Sequence, residues 1–135
     1  MYKIIRFSTS KEVELIDITH HVEGFVRECN VKEGLCIVHA PHATAAIIMN
    51  ENESGLKEDI INTFMKLVPR RANYMHDRID DNAHAHIKSA MIGSTVIIPI
   101  IGGRLARGTW QNIFFVELDG PRYERRVIIQ VIPGG

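Results

Sequence analysis

Thr95-Val96-Ile97-Ile98-Pro99-Ile100, Thr109 to Asp119 and Arg122 to Ile132 are three runs rich in β-branched and aromatic residues, with breaks at Gly102-Gly103-Arg104 and Gly120-Pro121. Glycine and proline pairs of this kind mark turns, so the runs read as consecutive strands. With the elements upstream they give the order β-β-α-β-β-α-α-β-β-β, which has too many adjacent strands for a doubly wound parallel sheet. The fold class is therefore α+β, mostly antiparallel sheet with helices packed against it, rather than a doubly wound parallel sheet.

Periodicity supplies the upstream elements. Tyr2 to Phe7 and Glu12 to Ile16 read as strands joined in a hairpin at Ser8-Thr9-Ser10-Lys11. Asp17 or Thr19 caps a helix to about Cys29 that buries Ile18, Val22, Phe25 and Val26, and Asn30 and Gly34 bound its exit. Gly34 to His39 and Ala43 to Asn50 are apolar on both alternating faces, which predicts strands covered on both sides. From Ser54 to Val68, Leu56, Ile60, Ile61, Phe64, Leu67 and Val68 recur at helical spacing, and Pro69 stops that helix. After a polar stretch from Pro69 to Asp81, a residue among Asp80, Asp81 and Asn82 caps a third helix ending at Gly93, with Ala83, Ile87, Ala90 and Met91 as its apolar face. A single domain over residues 1–135 is expected, a length at which one core suffices.

Sixteen basic and sixteen acidic residues cancel, so no bulk field points to nucleic acid or an anionic membrane as partner. Cys29 and Cys36 lie in apolar surroundings without metal-type spacing and read as reduced core thiols. No run is long enough to span a membrane, and the amino terminus alternates charged with apolar residues unlike a signal sequence. A soluble, cytoplasmic, unprocessed protein is expected.

Seven histidines are the compositional oddity. His76-Asp77-Arg78-Ile79-Asp80-Asp81-Asn82-Ala83-His84-Ala85-His86 sets three imidazoles and three carboxylates in eleven positions, the common ligand types for zinc and similar divalent ions. A helix cap followed by exposed histidines accounts for the same residues. On a regular helix His84 and His86 project about 160 degrees apart, at ~100 degrees per residue. His42, after Pro41 at the turn between two apolar strands, needs either a hydrogen bond or a metal. His39 reads as a core or sheet-rim residue, and His20 and His21 as surface groups.

In the run from Gly108 to Asp119, alternation sends Trp110, Phe114, Val116 and Leu118 to the core face and Thr109, Gln111, Ile113, Phe115, Glu117 and Asp119 to the other. Glu117 and Asp119 then lie roughly 7 Å apart on one side. That spacing suits holding a cation or pushing each other's protonation upward, and a solvated strand end is the alternative. Gly102-Gly103-Arg104-Leu105-Ala106-Arg107-Gly108 offers flexible backbone and guanidinium groups to a phosphate, with Arg122 following a tight turn on a neighbouring strand. An ordinary glycine-rich turn, and an ion pair from Arg122 to Glu117 or Asp119, fit equally. No Gly-x-Ser-x-Gly elbow is present and neither cysteine has an electropositive setting, which argues against covalent acyl transfer.

Four blocks taken together resemble the YjbQ family of secondary thiamine-phosphate-synthase-like proteins. They are His42-Ala43-Thr44-Ala45-Ala46 with Asn50-Glu51, His76-Asp77 with Asp81-Asn82-Ala83-His84-Ala85-His86, Gly108-Thr109-Trp110-Gln111, and Phe114-Phe115-Val116-Glu117-Leu118-Asp119-Gly120-Pro121-Arg122. The resemblance implies a YjbQ-like subunit with some seven strands in two packed sheets, assembling as a homotrimer, with the histidines and the acidic strand at one pocket near a subunit boundary. It also implies an association with thiamine phosphate synthase activity, in which a hydroxymethylpyrimidine diphosphate joins a thiazole phosphate and pyrophosphate leaves. Ala43 stands where the family often has a hydroxyl residue, and Arg107 where an aliphatic one is common.

The expectation is then a metal-assisted transferase for a phosphorylated small molecule. His42, His84 and His86 are its candidate ligands for a divalent ion such as zinc or magnesium, and His76 a further ligand or proton-transfer group. Asp77 or Glu51 orients an imidazole, and Gln111, Glu117 and Asp119 line the pocket. Arg104, Arg122, Trp110 and Asn82 receive the phosphorylated substrate, where phosphate or sulfate would also sit. A non-catalytic trimeric module binding a metal or small anion, and a structural protein whose polar cluster satisfies a subunit interface, are the competing expectations.

Overall fold

The computed structural model describes residues 1–135. Its elements, in chain order, are β1 (Tyr2–Phe7), β2 (Glu14–Asp17), α1 (Thr19–Cys29), β3 (Glu33–His39), β4 (Ala45–Asn50), α2 (Ser54–Leu67), a 3-10 turn (Met75–Arg78), α3 (Ala83–Ile92), β5 (Thr95–Ile101), β6 (Arg104–Leu105), β7 (Asn112–Glu117) and β8 (Arg125–Pro133). They build a five-stranded sheet, β1-β8-β3-β5-β6, and a three-stranded sheet, β2-β7-β4, with every pairing antiparallel. The fold is α+β, as the run of consecutive strands requires. One strand more than expected follows Thr95, because Gly102 and Gly103, at φ of 60° and 79°, close a two-residue hairpin that returns Arg104 and Leu105 onto Ile101 and Ile100.

The two sheets enclose the main core. Cys36, Val38, Ile98, Ile100, Val127, Ile129 and Val131 come from the larger sheet, Ala45, Ile47, Ile113 and Phe115 from the smaller, and Val22, Phe25 and Val26 from α1. A lesser cluster of Ala46, Val116, Leu118 and Ala85 lies on the back of the smaller sheet beneath α3. The central strand β7 is thus buried on both faces. Ile113 and Phe115, assigned by alternation to the non-core side, face the larger core. Trp110 is 69% exposed because the strand begins only at Asn112, after a turn closed by Gln111 N–H donating to Gly108 O.

Three further expectations change. β1 and β2 form no hairpin, since β1 pairs with β8 and β2 with β7, and the link between them crosses from one sheet to the other. α3 buries Ala83, His84, Ala85, Lys88 and Ser89 and leaves Ile87 and Met91 exposed, because Ser89 Oγ donates to Ala45 O and the other buried polar side chains also find partners. β3 is covered on one side only. Leu35, Ile97, Ile101 and Ile132 stand 42–66% exposed on the outer face of the larger sheet.

The turn after β7 is pinned at Gly120. Its N–H donates to Glu12 O at 2.9 Å, and a Cβ there would lie 2.0 Å from Lys11 O. No other residue type fits that approach.

Candidate functional site

β7 sets the geography of the polar residues. Its register places Glu14 and Ala45 beside Glu117, and Asn50 beside Asn112. Gln111 and Glu117 are six steps apart, about 20 Å at ~3.4 Å per step. One pocket within one subunit does not span that distance, so the residues expected to gather divide between two ends.

At the Glu117 end lies a buried ion pair. Arg125 Nε donates to Glu117 Oε1 at 2.8 Å and Arg125 Nη2 contacts Glu117 Oε2, a two-pronged pair with Glu117 wholly buried and Arg125 4% exposed. Thr9 Oγ1 donates to Oε1 at 2.8 Å, and Asp119 N–H to Oε2 at 3.0 Å. Burial pushes the Glu117 carboxyl up, but the hydrogen bonds from Arg125, Asp119 N–H and Thr9 outweigh it and hold the group below its ordinary 4.5. Asp119 is likewise held low against its burial, by Asn82 and Arg122. The two carboxylates therefore do not raise each other's protonation, because each has its own cation.

From Asp119 the chain of contacts runs outward to solvent. Asn82 Nδ2 donates to Asp119 Oδ2 at 2.9 Å, and Asn82 Oδ1 lies 3.2 Å from Nε2 of the exposed His76. A carboxylate only accepts, so the Asn82 amide must face it with nitrogen, which leaves oxygen for His76. His76 Nε2 therefore carries the proton, and Nδ1 is the free basic position of the neutral ring. His86 packs edge-on against His76, with ring centroids 4.9 Å apart. Arg122 Nη2 donates to Asp119 Oδ2 at 2.6 Å and its Nε to Asp119 O at 2.9 Å. Asp77 does not orient an imidazole. Asn82, one of the three expected residues, holds the N-cap position of α3, but the Oδ1 of Asp77 accepts the Ala83 N–H at 3.1 Å, and so the Asn82 side chain is free for Asp119.

The expected metal ligands occupy different surroundings. His42 Nε2 accepts the N–H of Arg126 at 2.9 Å, and burial, with the Arg125 charge, holds the imidazole below its ordinary 6.5. His84 is 2% exposed and points inward, with Nδ1 2.7 Å from Lys88 Nζ and Nε2 3.8 Å from Glu12 Oε1. His86 turns the other way, toward His76, as the angular spacing on α3 requires. Nowhere in the subunit do three His, Cys, Asp or Glu side chains converge closely enough to hold a metal ion, so His42, His84 and His86 do not form a ligand triad within one chain. The lone pairs on His42 Nε2 and His84 Nδ1 already accept N–H donors. The residues present do not meet the three or four protein ligands of a zinc centre.

Arg104, Trp110, Gln111 and Glu51 belong to the far end or beyond it. Gln111 Oε1 accepts the Gly108 N–H at 2.7 Å, and Arg107 reaches Gln111 O and Glu23. Arg107, Glu23 and Gly108 bound an open cleft of about 500 Å³ with Arg27, Arg104 and Gly102-Gly103, beside Gln111. Glu51 follows Asn50, whose side chain accepts the Glu51 N–H at 2.8 Å.

A family model described as "UPF0047 protein YjbQ-like" matches residues 3–134. The chain belongs to the YjbQ/UPF0047 family. Among its relatives, a UPF0047 protein of Archaeoglobus fulgidus is 48% identical over 95% of this chain and 98% of its own, and YugU of Bacillus subtilis 37% over 90% and 92%. Two solved family structures superpose closely. A YbjQ-like protein of unknown function from Sulfolobus solfataricus P2 gives a TM-score of 0.98 at 42% identity, covering 99% of this chain and 97% of that one. A YjbQ/UPF0047 protein of Clostridium acetobutylicum gives 0.91 at 39%, covering 96% and 99%.

In this member of the YjbQ/UPF0047 family the sequence reading missed three charged residues of the site. Arg125 carries a usable signal, since it is in phase with the buried Val127, Ile129 and Val131 of β8. Lys88 sits one turn beyond His84 on the face of α3 that turned out to be buried. Glu12 meets His84 only through the crossing between sheets, and nothing local announces it.

Proposed function

We propose that the chain is a transferase for a phosphorylated small molecule, of the thiamine-phosphate-synthase kind its family resemblance suggests, with His76 as the proton-transfer group. The Asp119–Asn82–His76 chain carries this reading, because it fixes an exposed imidazole in one tautomer with Nδ1 free. Arg122 is anchored on Asp119 through Nε and Nη2, which leaves Nη1 without a protein partner and available to a phosphate. In the transfer, a carbon–oxygen bond to a departing diphosphate breaks and a carbon–nitrogen bond to the thiazole forms. Arg122 takes up charge on the departing diphosphate, and His76 passes a proton from solvent to the diphosphate oxygen released as the carbon–oxygen bond breaks. Magnesium asks less of a protein than zinc, one or two carboxylates with substrate phosphates supplying the rest. A metal in this reading arrives with the substrate.

The test is formation of thiamine phosphate and pyrophosphate from hydroxymethylpyrimidine diphosphate and thiazole phosphate. His76→Gln is expected to lower kcat by ~10²–10⁴-fold, the usual contribution of a positioned acid or base. Full activity in that variant removes His76 from the chemistry.

The arginine-lined cleft at Gly102 to Gly108 favours a second reading, a module that binds a phosphorylated ligand without turnover, since its guanidinium groups lie apart from the histidines. Phosphate affinity that is lost in Arg104→Ala, with no turnover in the unaltered protein, selects it. In either reading we propose a homotrimer, supported by the uncovered apolar face of the larger sheet. Sedimentation should give three subunits, and Ile97→Glu should dissociate them.

A further inference from the structure

Lys88 is among the largest fully buried side chains of the protein, 2% exposed, and takes part in none of its ion pairs. Its Nζ meets only a thioether, Met65 Sδ at 3.1 Å, and an imidazole, His84 Nδ1 at 2.7 Å. Neither direct partner carries a negative charge, and the one carboxylate that acts on the ammonium, Glu12, does so from beyond the His84 ring. An apolar side chain of similar length would fill the space at less cost, so packing gives no reason for an amine here. Lys88 is also the one charged residue in the wall of a cavity of about 140 Å³ between α2 and α3, otherwise lined by Phe64, Leu67, Val68, Met91 and Ile92. Leu67 and Met91 stand 68% and 65% exposed, so the cavity opens to solvent, and its volume is about that of a benzene-sized molecule's site.

We propose that Lys88 is a nucleophilic amine that condenses with a small apolar aldehyde or ketone whose hydrocarbon part occupies this cavity, with His84 as its proton acceptor. The ammonium proton passes from Nζ to His84 Nδ1. The freed lone pair forms the carbon–nitrogen bond while the carbonyl π-electrons move to oxygen. The resulting carbinolamine loses its oxygen as water, with protons returned through His84, and leaves an imine on Nζ; carbonyl and amine give imine and water, with no oxidant or reductant involved. Glu12 Oε1, a buried acceptor without a hydrogen bond, lies 3.8 Å from His84 Nε2 on the far side of the ring and favours the imidazolium formed in the first step. Burial holds the Lys88 amine below its usual 10.5, and burial with the lysine charge holds His84 below 6.5, in both cases against the raising effect of Glu12. This site is separate from His76 and does not rest on the reading of that residue.

The experiment treats the folded chain with benzaldehyde and sodium cyanoborohydride at neutral pH and maps the reduced adduct by peptide mass spectrometry. Lys88 is expected to be labelled ahead of the exposed Lys3, Lys11, Lys32 and Lys66. Phe64→Trp, which fills the cavity and keeps the amine, should abolish labelling at Lys88 and leave the surface lysines unchanged. His84→Gln should slow it by roughly tenfold or more. In urea Lys88 should lose its advantage over the other lysines. Labelling of surface lysines with Lys88 untouched, in protein whose circular dichroism is that of the folded chain, overturns the proposal. So does labelling of Lys88 at an equal rate in Phe64→Trp.

Discussion

Two acid clusters, a half-buried one at Asp17 and a buried one at Glu117, cap the three-stranded sheet, and they differ in where their hydrogen bonds lead. Asp17 accepts from Thr19 N–H and Oγ1 at 2.9 and 2.6 Å, from Asn52 at 2.8 Å and from Asn112 at 2.7 Å, all of them neutral donors. The contacts close on themselves and fix α1 to the sheet. Glu117 is met by a cation, and its contacts continue through Asp119 and Asn82 to an imidazole in solvent. A carboxylate satisfied locally holds a fold together, whereas one whose bonds propagate to a titratable surface group also fixes a proton position.

Breaking the charged end should cost most. Arg125→Met leaves Glu117 buried and unpaired, which is expected to lower unfolding free energy by about 3–5 kcal/mol in urea denaturation, with much of it recovered by adding Glu117→Leu. A loss below about 1 kcal/mol would equate the two ends. Asp17→Asn keeps the shape but sets an amide donor against amide donors, so about 1–3 kcal/mol should be lost while turnover through His76 stays unchanged. A fall in kcat there would mean that the closed cluster also serves the site.

Acid should weigh on both ends in the same direction. His42 and His84 are held below 6.5 in the fold, so their contribution is complete above that value and declines as pH falls through their folded pKa. Asp17, Glu117 and Asp119 are depressed carboxyls, and their contribution is lost at lower pH still, below their ordinary 3.8 to 4.5. Thermal unfolding followed from pH 8 to pH 2 should therefore show two successive declines. Arg6→Ala, which removes an exposed 3.7 Å pair with Glu124, sets the lower limit of the comparison at about 0.2–1 kcal/mol.

Local pattern carried most of the architecture and less of the site. α1, α2, β3 and β4 are where periodicity puts them, because each turns apolar side chains inward at a regular spacing, although α2 only half-buries its stripe and leaves Leu67 exposed. α3 was legible in extent, but its buried face was not. Apolarity pointed to Ile87 and Met91, while the fold buries His84, Lys88 and Ser89 by pairing them. The histidine cluster drew attention to residues 76–86, where the structure sets His76, Asn82 and His86 together. What organises it lies far away in sequence: Asp119 is 37 positions from Asn82, and Thr9 is 108 from Glu117. That Gln111 and Glu51 lie far from Glu117 within one subunit was hidden for a simpler reason. Residues near one another in a strand's sequence still lie at opposite ends of it.

The missing side chain at Gly120 ties together segments from opposite parts of the chain. Because the backbone of Lys11 rests where a Cβ would be, any other residue there must lever the β1–β2 link away from the turn that follows β7. Thr9 would then part from Glu117, and Glu12 from His84. A change as slight as Gly120→Ala would therefore disturb the His76 relay and the Lys88 pocket at once, making this position a common hinge-pin for two otherwise separate chemistries.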